Sequence, residues 1–179
     1  MFNRKRRSSG DGLRLDPAIS GLRLRALTDS AEELGQSRED MPPVWLAVME
    51  WIVRDSAVTL VSMNDGSTSL YFSYGGGVIG AGQHEPVAIA SGQFLGACFL
   101  ARDSFVSATE FDYPPPGLTR FYCRTDAGET LTAGAPESEI QQRDHPLFRP
   151  WGAAQAVITQ IRLHTPEFGA GEPRPTAGE

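Results

Sequence analysis

The chain contains 179 residues, of which 40% are hydrophobic and 21% are charged, and its formal net charge is −6. This length and composition are those of one globular domain with a core of its own. Because no run of about 18 apolar residues occurs, we expect no membrane-spanning segment. Cys98 and Cys123 are the only cysteines. They are too few for a disulfide framework, so we expect reduced thiols and a cytoplasmic location.

The N-terminus, residues 1–17, is predicted to be a disordered tail with a basic cluster formed by Arg4, Lys5, Arg6 and Arg7. We expect at most a transient contact of this cluster with anionic lipid headgroups. No apolar segment follows it, so no secretory signal is expected. The net charge of the remaining residues is more negative than the −6 of the whole chain. This negative charge argues against nucleic-acid binding.

The C-terminus, residues 166–179, is rich in Gly, Pro and Glu. Such a segment buries too little apolar surface to fold, and we predict a second disordered tail there. Residues 18–165 are therefore expected to form a single domain.

Two helices are predicted at the start of this domain. Residues 20–36 carry leucines among charges and end at a helix-terminating glycine, Gly35. Residues 41–55 begin with two prolines, which favour the first turn of a helix. Their apolar residues recur at the spacing of a core-facing helical stripe: Val44, Ala47, Val48, Trp51 and Ile52. We therefore expect this second helix to pack on a sheet.

A β-hairpin and a third helix follow in the chain. Residues 57–63 and 68–74 are rich in β-forming residues and flank the turn sequence Asn-Asp-Gly-Ser. After a glycine-rich segment, Pro86 suits the first turn of a helix that starts at about Glu85. The remainder of that helix is expected to be largely buried.

A second hairpin and a closing helix complete the predicted elements. The hairpin strands are residues 119–125 and 129–133, Pro136 opens a short helical turn, and the last helix lies within residues 145–164. Together the elements predict an α+β fold. Its antiparallel sheet has four to five strands built from two hairpins, and helices pack on its faces.

This order of elements resembles the roadblock/longin and profilin-like architectures. Across residues 44–103 the chain is also similar to a family of uncharacterised bacterial proteins with a TSLYFS-GGGVIG core. The resemblance implies the fold and, by analogy alone, a dimerising or adaptor role.

The segment GGGVIG, residues 75–80, satisfies the letters of the G-x-G-x-x-G dinucleotide fingerprint. In that alternative the chain is a small nucleotide- or dinucleotide-binding protein that contacts its cofactor through Gly75, Gly77 and Gly80. Three features oppose it. The preceding strand belongs to a hairpin, Pro86 would interrupt the required helix, and Glu85 would occupy the position of the phosphate. We therefore expect glycines that serve the backbone, and no cofactor.

No catalytic or metal-binding constellation is predicted, so we expect a protein that is not an enzyme. The sequence has neither a nucleophile elbow nor a P-loop. The histidines match no metal-ligand spacing: His84, His145 and His164. Three acids crowd one loop and are expected to be solvated surface: Asp103, Glu110 and Asp112. The two cysteines are expected to be inert core residues.

These absences favour a non-enzymatic regulatory or protein-interaction module that self-associates. Aromatic residues of the first hairpin, beside a sheet edge expected to be unpaired, are the predicted surface for a second copy or another protein partner: Tyr71, Phe72 and Tyr74. A further alternative is an acidic immunity-type protein that masks a partner through its negative surface.

Overall fold

A computed structural model describes residues 12–165. The outer parts of both predicted tails, residues 1–11 and 166–179, lie outside the described residues. The helices are α1 (Pro17–Thr28), α2 (Glu85–Leu100), α3 (Glu137–Ile140) and α4 (Phe148–His164). The strands are β1 (Val44–Val53), β2 (Ser56–Met63), β3 (Thr68–Phe72), β4 (Gly77–Val78), β5 (Val106–Ser107), β6 (Leu118–Thr125) and β7 (Thr130–Pro136).

The strands form one antiparallel sheet in the order β4-β3-β2-β1-β6-β7-β5. The predicted α+β class is confirmed, and both predicted hairpins are present as β2–β3 and β6–β7. The sheet has seven strands, however, and not four to five. The additional strands are β1 and the two-residue strands β4 and β5, which lie at the two edges of the sheet.

The predicted second helix is wrong, because residues 44–53 form β1, the central strand of the sheet. The first seven residues of β1 are all buried, since helices or loops cover both faces of the sheet. A strand buried on both faces has no polar alternation, and its continuous apolar run also contains helical spacings. The tight turn that joins β1 to β2 places Arg54 at a φ of 56°.

The boundaries of α1 differ from the prediction at both ends. Its N-cap is Asp16, whose carboxylate accepts hydrogen bonds from the backbone N–H groups of Ala18 and Ile19, and Pro17 follows as the first helical residue. The helix ends at Thr28 and not at Gly35. Ser30 and Glu33 then form a reciprocal capping box that starts a separate turn.

Residues 12–16, which the sequence analysis assigned to the tail, are bonded to the domain. The N–H of Arg14 donates to the carbonyl of Asp55 at 3.3 Å, and the N–H of Asp16 donates to the carbonyl of Ser73 at 2.6 Å. These two hydrogen bonds therefore attach the residues before α1 to the sheet.

The core is divided between the two faces of the sheet. On one face α2 and α4 pack side by side over the sheet, where Phe94 of α2 lies in a core with Leu60 and Phe121 of the strands. On the other face α1 and its neighbouring loops cover Trp45, Leu46 and Tyr122. A shift of register in β1 between Val44 and Leu46 allows Trp45 and Leu46 to lie on the same face. Among residues 12–165, no helix is both long and apolar enough to cross a membrane.

Candidate functional site

The glycine-rich segment lies along the edge of β3. β3 pairs in antiparallel fashion with both β2 and β4. A Cβ atom at Gly77 would overlap the carbonyl oxygen of Leu70, and one at Gly82 would overlap the carbonyl oxygen of Gly66. Only glycine at these two positions allows the segment to approach the strand so closely.

The helix that follows starts too late to hold a phosphate at these glycines. α2 begins at Glu85, as predicted, with Pro86 in its first turn, and a short 3₁₀ turn (Ala81–Gln83) separates it from Gly80. The dinucleotide fingerprint requires a parallel strand and a helix that starts at the glycines. Neither is present, so Gly75, Gly77 and Gly80 are not arranged as a phosphate cradle.

The predicted interface aromatics occupy three different environments. Tyr71 is only 4% exposed and packs on the α1 face, whereas Phe72 is half-buried on the opposite face. Tyr74 is 44% exposed, stacks on Phe72 with ring centroids 5.4 Å apart, and lies 5.7 Å from the guanidinium carbon of Arg14. The expectation of an unpaired edge beside them is wrong, because β4 and the glycine-rich segment cover β3. The interface role of these residues stays a prediction.

The residues considered for other chemistry are dispersed. The rings of His84 and His164 stack at 5.5 Å, and His145 accepts a hydrogen bond from the backbone N–H of Leu147. Within the described part of the chain, no group of three or more His, Cys, Asp and Glu side chains is placed to hold a metal ion. The three loop acids are all exposed: Asp103, Glu110 and Asp112.

The two cysteines lie in the core between α2 and β6. Cys98 and Cys123 are both buried. Burial, together with the neighbouring Cys123 thiol, raises the pKa of Cys98 well above its usual value. A thiol whose ionisation is suppressed in this way is a poor nucleophile, in agreement with the expected packing role.

A buried ion pair under α1 was missed by the sequence analysis. Arg23 of α1 donates two hydrogen bonds to Glu50 of β1, and Thr59 of β2 donates a third to the same carboxylate. Burial tends to lower the pKa of Arg23, but the hydrogen bond and the charge of Glu50 outweigh it and raise that pKa. The pair binds α1 to the centre of the sheet and leaves the carboxylate inaccessible to a substrate.

The outer surface of α2 and α4, which we call the helix face, exposes large aliphatic side chains. Ile89 and Leu100 of α2 are 56% and 68% exposed. Residues 86–101 and 150–161 contain no charged side chain, although 21% of the whole chain is charged. A groove of about 440 Å³ runs between the two helices, and its lining includes Ile89, Gln93 and Ala156.

The glycines of the helix face are not required by close contacts with other residues of the range 12–165. Gly92 and Gly96 of α2 and Gly152 of α4 are exposed, and an added Cβ atom at any of them would meet nothing within 4 Å. A glycine inside a helix costs about 1 kcal/mol relative to alanine. The sequence signal for this surface is the uncharged run at residues 86–101, which led to the expectation of a largely buried helix.

No protein-family model matches the chain, and searches of curated proteins and of solved structures found no significant match.

Proposed function

We propose that the protein is a non-enzymatic interaction module that self-associates through the helix face. The observation that carries this proposal is the exposure of Ile89 and Leu100 on a helix whose residues 86–100 are uncharged and, apart from Ser91 and Gln93, apolar. A helix of that composition is normally buried on all sides. Among residues 12–165 only the side of α2 toward the sheet and α4 is covered, so a partner is expected on the other side.

The charge of the chain favours a second copy as that partner. Two copies of an acidic chain repel each other wherever their charged surfaces meet. A two-fold symmetric contact brings the same patch of both copies together, so it is best made by a patch without charges. The middle of the helix face meets this requirement, because the charged residues of the two helices lie near their ends. They are Glu85, which lines one end of the groove, Arg149 and Arg162.

The size of the helix face suits a weak, reversible dimer. α2 and α4 contain 16 and 17 residues, so each is about 25 Å long, and two adjacent helices are about 20 Å wide. The face therefore offers about 500 Å² per copy, or about 1,000 Å² in a dimer, which is near the lower limit for specific interfaces. Exposed glycines would allow the two backbones to approach closely.

The test is the oligomeric state of a charge variant and a matched control. Ile89→Glu should convert the dimer to a monomer, because two added carboxylates would meet in an apolar contact. The control is Val106→Glu on β5, where another exposed aliphatic side chain lies on the sheet edge. Size-exclusion chromatography with light scattering should show a dimer for the control and a monomer for Ile89→Glu. An equal mass for both variants would contradict the proposal.

A further inference from the structure

Two arginines are buried on the α1 face of the sheet, and their surroundings differ sharply. Arg23 and Arg124 are 6% and 5% exposed. Arg23 has a carboxylate partner, Glu50, and also donates to the carbonyl of Phe111 at 2.7 Å. Arg124 of β6 donates only from Nη1, to the carbonyl of Ala26 at 3.2 Å, and its buried Nε has no acceptor among the described residues.

No carboxylate of the described chain forms an ion pair with Arg124. The acid whose charge acts on Arg124 is Asp29, and its carboxylate pairs with Arg25 at 2.8 Å. Burial lowers the pKa of Arg124, and the charge of Asp29 offsets only part of that effect. A buried guanidinium without a counter-ion is costly, and residues 12–165 supply Arg124 with one hydrogen-bond acceptor and no ion pair.

Arg124 lines a groove between the loop after α1 and the start of the β6–β7 turn. The groove has a volume of about 350 Å³ and carries hydroxyl and charged groups on its walls, among them Ser30, Glu33, Arg38 and Asp126. The ring of Trp45 lies under the guanidinium, with 5.4 Å between the ring centroid and the guanidinium carbon. Trp45 is itself fixed by a hydrogen bond from its Nε1 to the carbonyl of Thr125.

We propose that this groove binds a small zwitterion through its carboxylate, which pairs with Arg124. A guanidinium binds a carboxylate or a phosphate through its planar set of N–H donors. The charge of the walls selects between these two ligands. Beside Arg124 the walls carry three carboxylates and one guanidinium: Glu32, Glu33, Asp126 and Arg38. Arg38 already pairs with Glu32 at 3.4 Å, so the walls are negatively charged.

The acidic walls repel a phosphate dianion and attract a positive group. A free α-amino acid has the required charges, because its carboxylate would lie on Arg124 and its ammonium group would face the acidic walls. The ligand class is therefore a small carboxylate of zero net charge.

The experiment uses the full 179-residue chain and follows the Nε–H resonance of Arg124 by NMR during titration with glycine. Glycine should shift this resonance saturably while the Nε–H resonance of Arg23 stays in place. Acetate, which lacks the ammonium group, and glycinamide, which lacks the carboxylate, should each bind at least about tenfold more weakly. Sodium chloride at equal concentration controls for ionic strength.

Arg124→Lys keeps the positive charge but loses the planar donor set, and it should weaken glycine binding at least about tenfold. The wild-type titration decides the proposal even where this variant unfolds. A resonance that does not respond to glycine, or that responds equally to chloride, would overturn the site. Equal affinity for acetate, or tighter binding of inorganic phosphate, would overturn the assignment of a zwitterion.

Discussion

Arg23 and Glu50 form a two-point ion pair inside the protein, with Nε–Oε1 and Nη2–Oε2 distances of 2.5 Å and 2.8 Å. Glu50 is completely buried at the centre of β1, and the aromatic ring of Tyr113 lies 4.0 Å from the guanidinium carbon. A buried ion pair thus joins α1 to the face of the sheet that this helix covers. This contact fixes the position of α1 relative to β1.

The first prediction concerns the cost of breaking this pair. Glu50→Gln leaves the guanidinium of Arg23 buried without a counter-ion, which should lower the free energy of unfolding by about 3–5 kcal/mol. The control is Glu32→Gln, which breaks the exposed pair with Arg38 and should cost less than about 1 kcal/mol. Urea unfolding monitored by circular dichroism measures both values. Similar losses in the two variants would show that the buried pair does not hold α1.

The second prediction concerns alkaline pH. Burial, and secondarily the charge of Glu50, raises the pKa of Tyr71 well above its usual value of 10.0. Above pH 10.0 the unfolded chain loses this proton and the folded chain keeps it, so the unfolded state binds fewer protons. The stabilisation is complete below that pH. It should decrease as the pH rises, by about 1.4 kcal/mol per pH unit from this side chain.

Tyr71→Phe should make the decrease in unfolding free energy between about pH 10 and pH 11 shallower than in the wild type. Urea unfolding at several pH values gives the slopes. A Tyr71→Phe slope equal to that of the wild type would mean that the ring is open to solvent.

The third prediction compares two glycines of the GGGVIG segment. Gly76 and Gly77 both have positive φ values, 79° and 133°. A Cβ at Gly76 meets nothing within 4 Å, whereas one at Gly77 overlaps the backbone of β3. Gly76→Ala should therefore cost about 1–2 kcal/mol for backbone strain, and Gly77→Ala should cost clearly more. Thermal unfolding ranks the two variants. The reverse order would show that β3 is not covered as described.

The sequence predicted the two hairpins and the start of α2 because their signals are local. Turn residues fixed the hairpins, and Pro86 fixed the helix start. β1 could not be read in this way. Its apolar run fits either a helix or a strand that is buried on both faces. The strand forms because β1 pairs with β2 and β6, and this pairing depends on the tertiary fold rather than on the local sequence.

The two arginine environments were also beyond the sequence. Arg23 and Glu50 are 27 positions apart, and Arg124 meets the carbonyl of Ala26 across 98 positions. Such contacts depend on how α1 packs across the sheet, and no short sequence motif predicts that packing. The helix face, in contrast, was visible as an uncharged run, but burial against the sheet and burial by a partner give the same composition.

The fourth prediction separates folding from association. Gly92→Ala and Gly96→Ala should each stabilise the isolated chain by about 1 kcal/mol through helix propensity, since no described residue lies within 4 Å of the added methyl groups. Both should weaken the dimer, because the methyl groups separate the two backbones. The control is Gly21→Ala in α1, an equally open helical glycine. It should stabilise the chain and leave association unchanged, as measured by unfolding of dilute protein and by light scattering.

The most direct test of self-association is sedimentation equilibrium of the wild-type chain from about 1 μM to about 1 mM, the range in which weak dimers dissociate. We expect the average mass to rise with concentration from 19.4 kDa toward twice that value. A constant mass of 19.4 kDa at every concentration would contradict the proposal that a second copy covers the helix face.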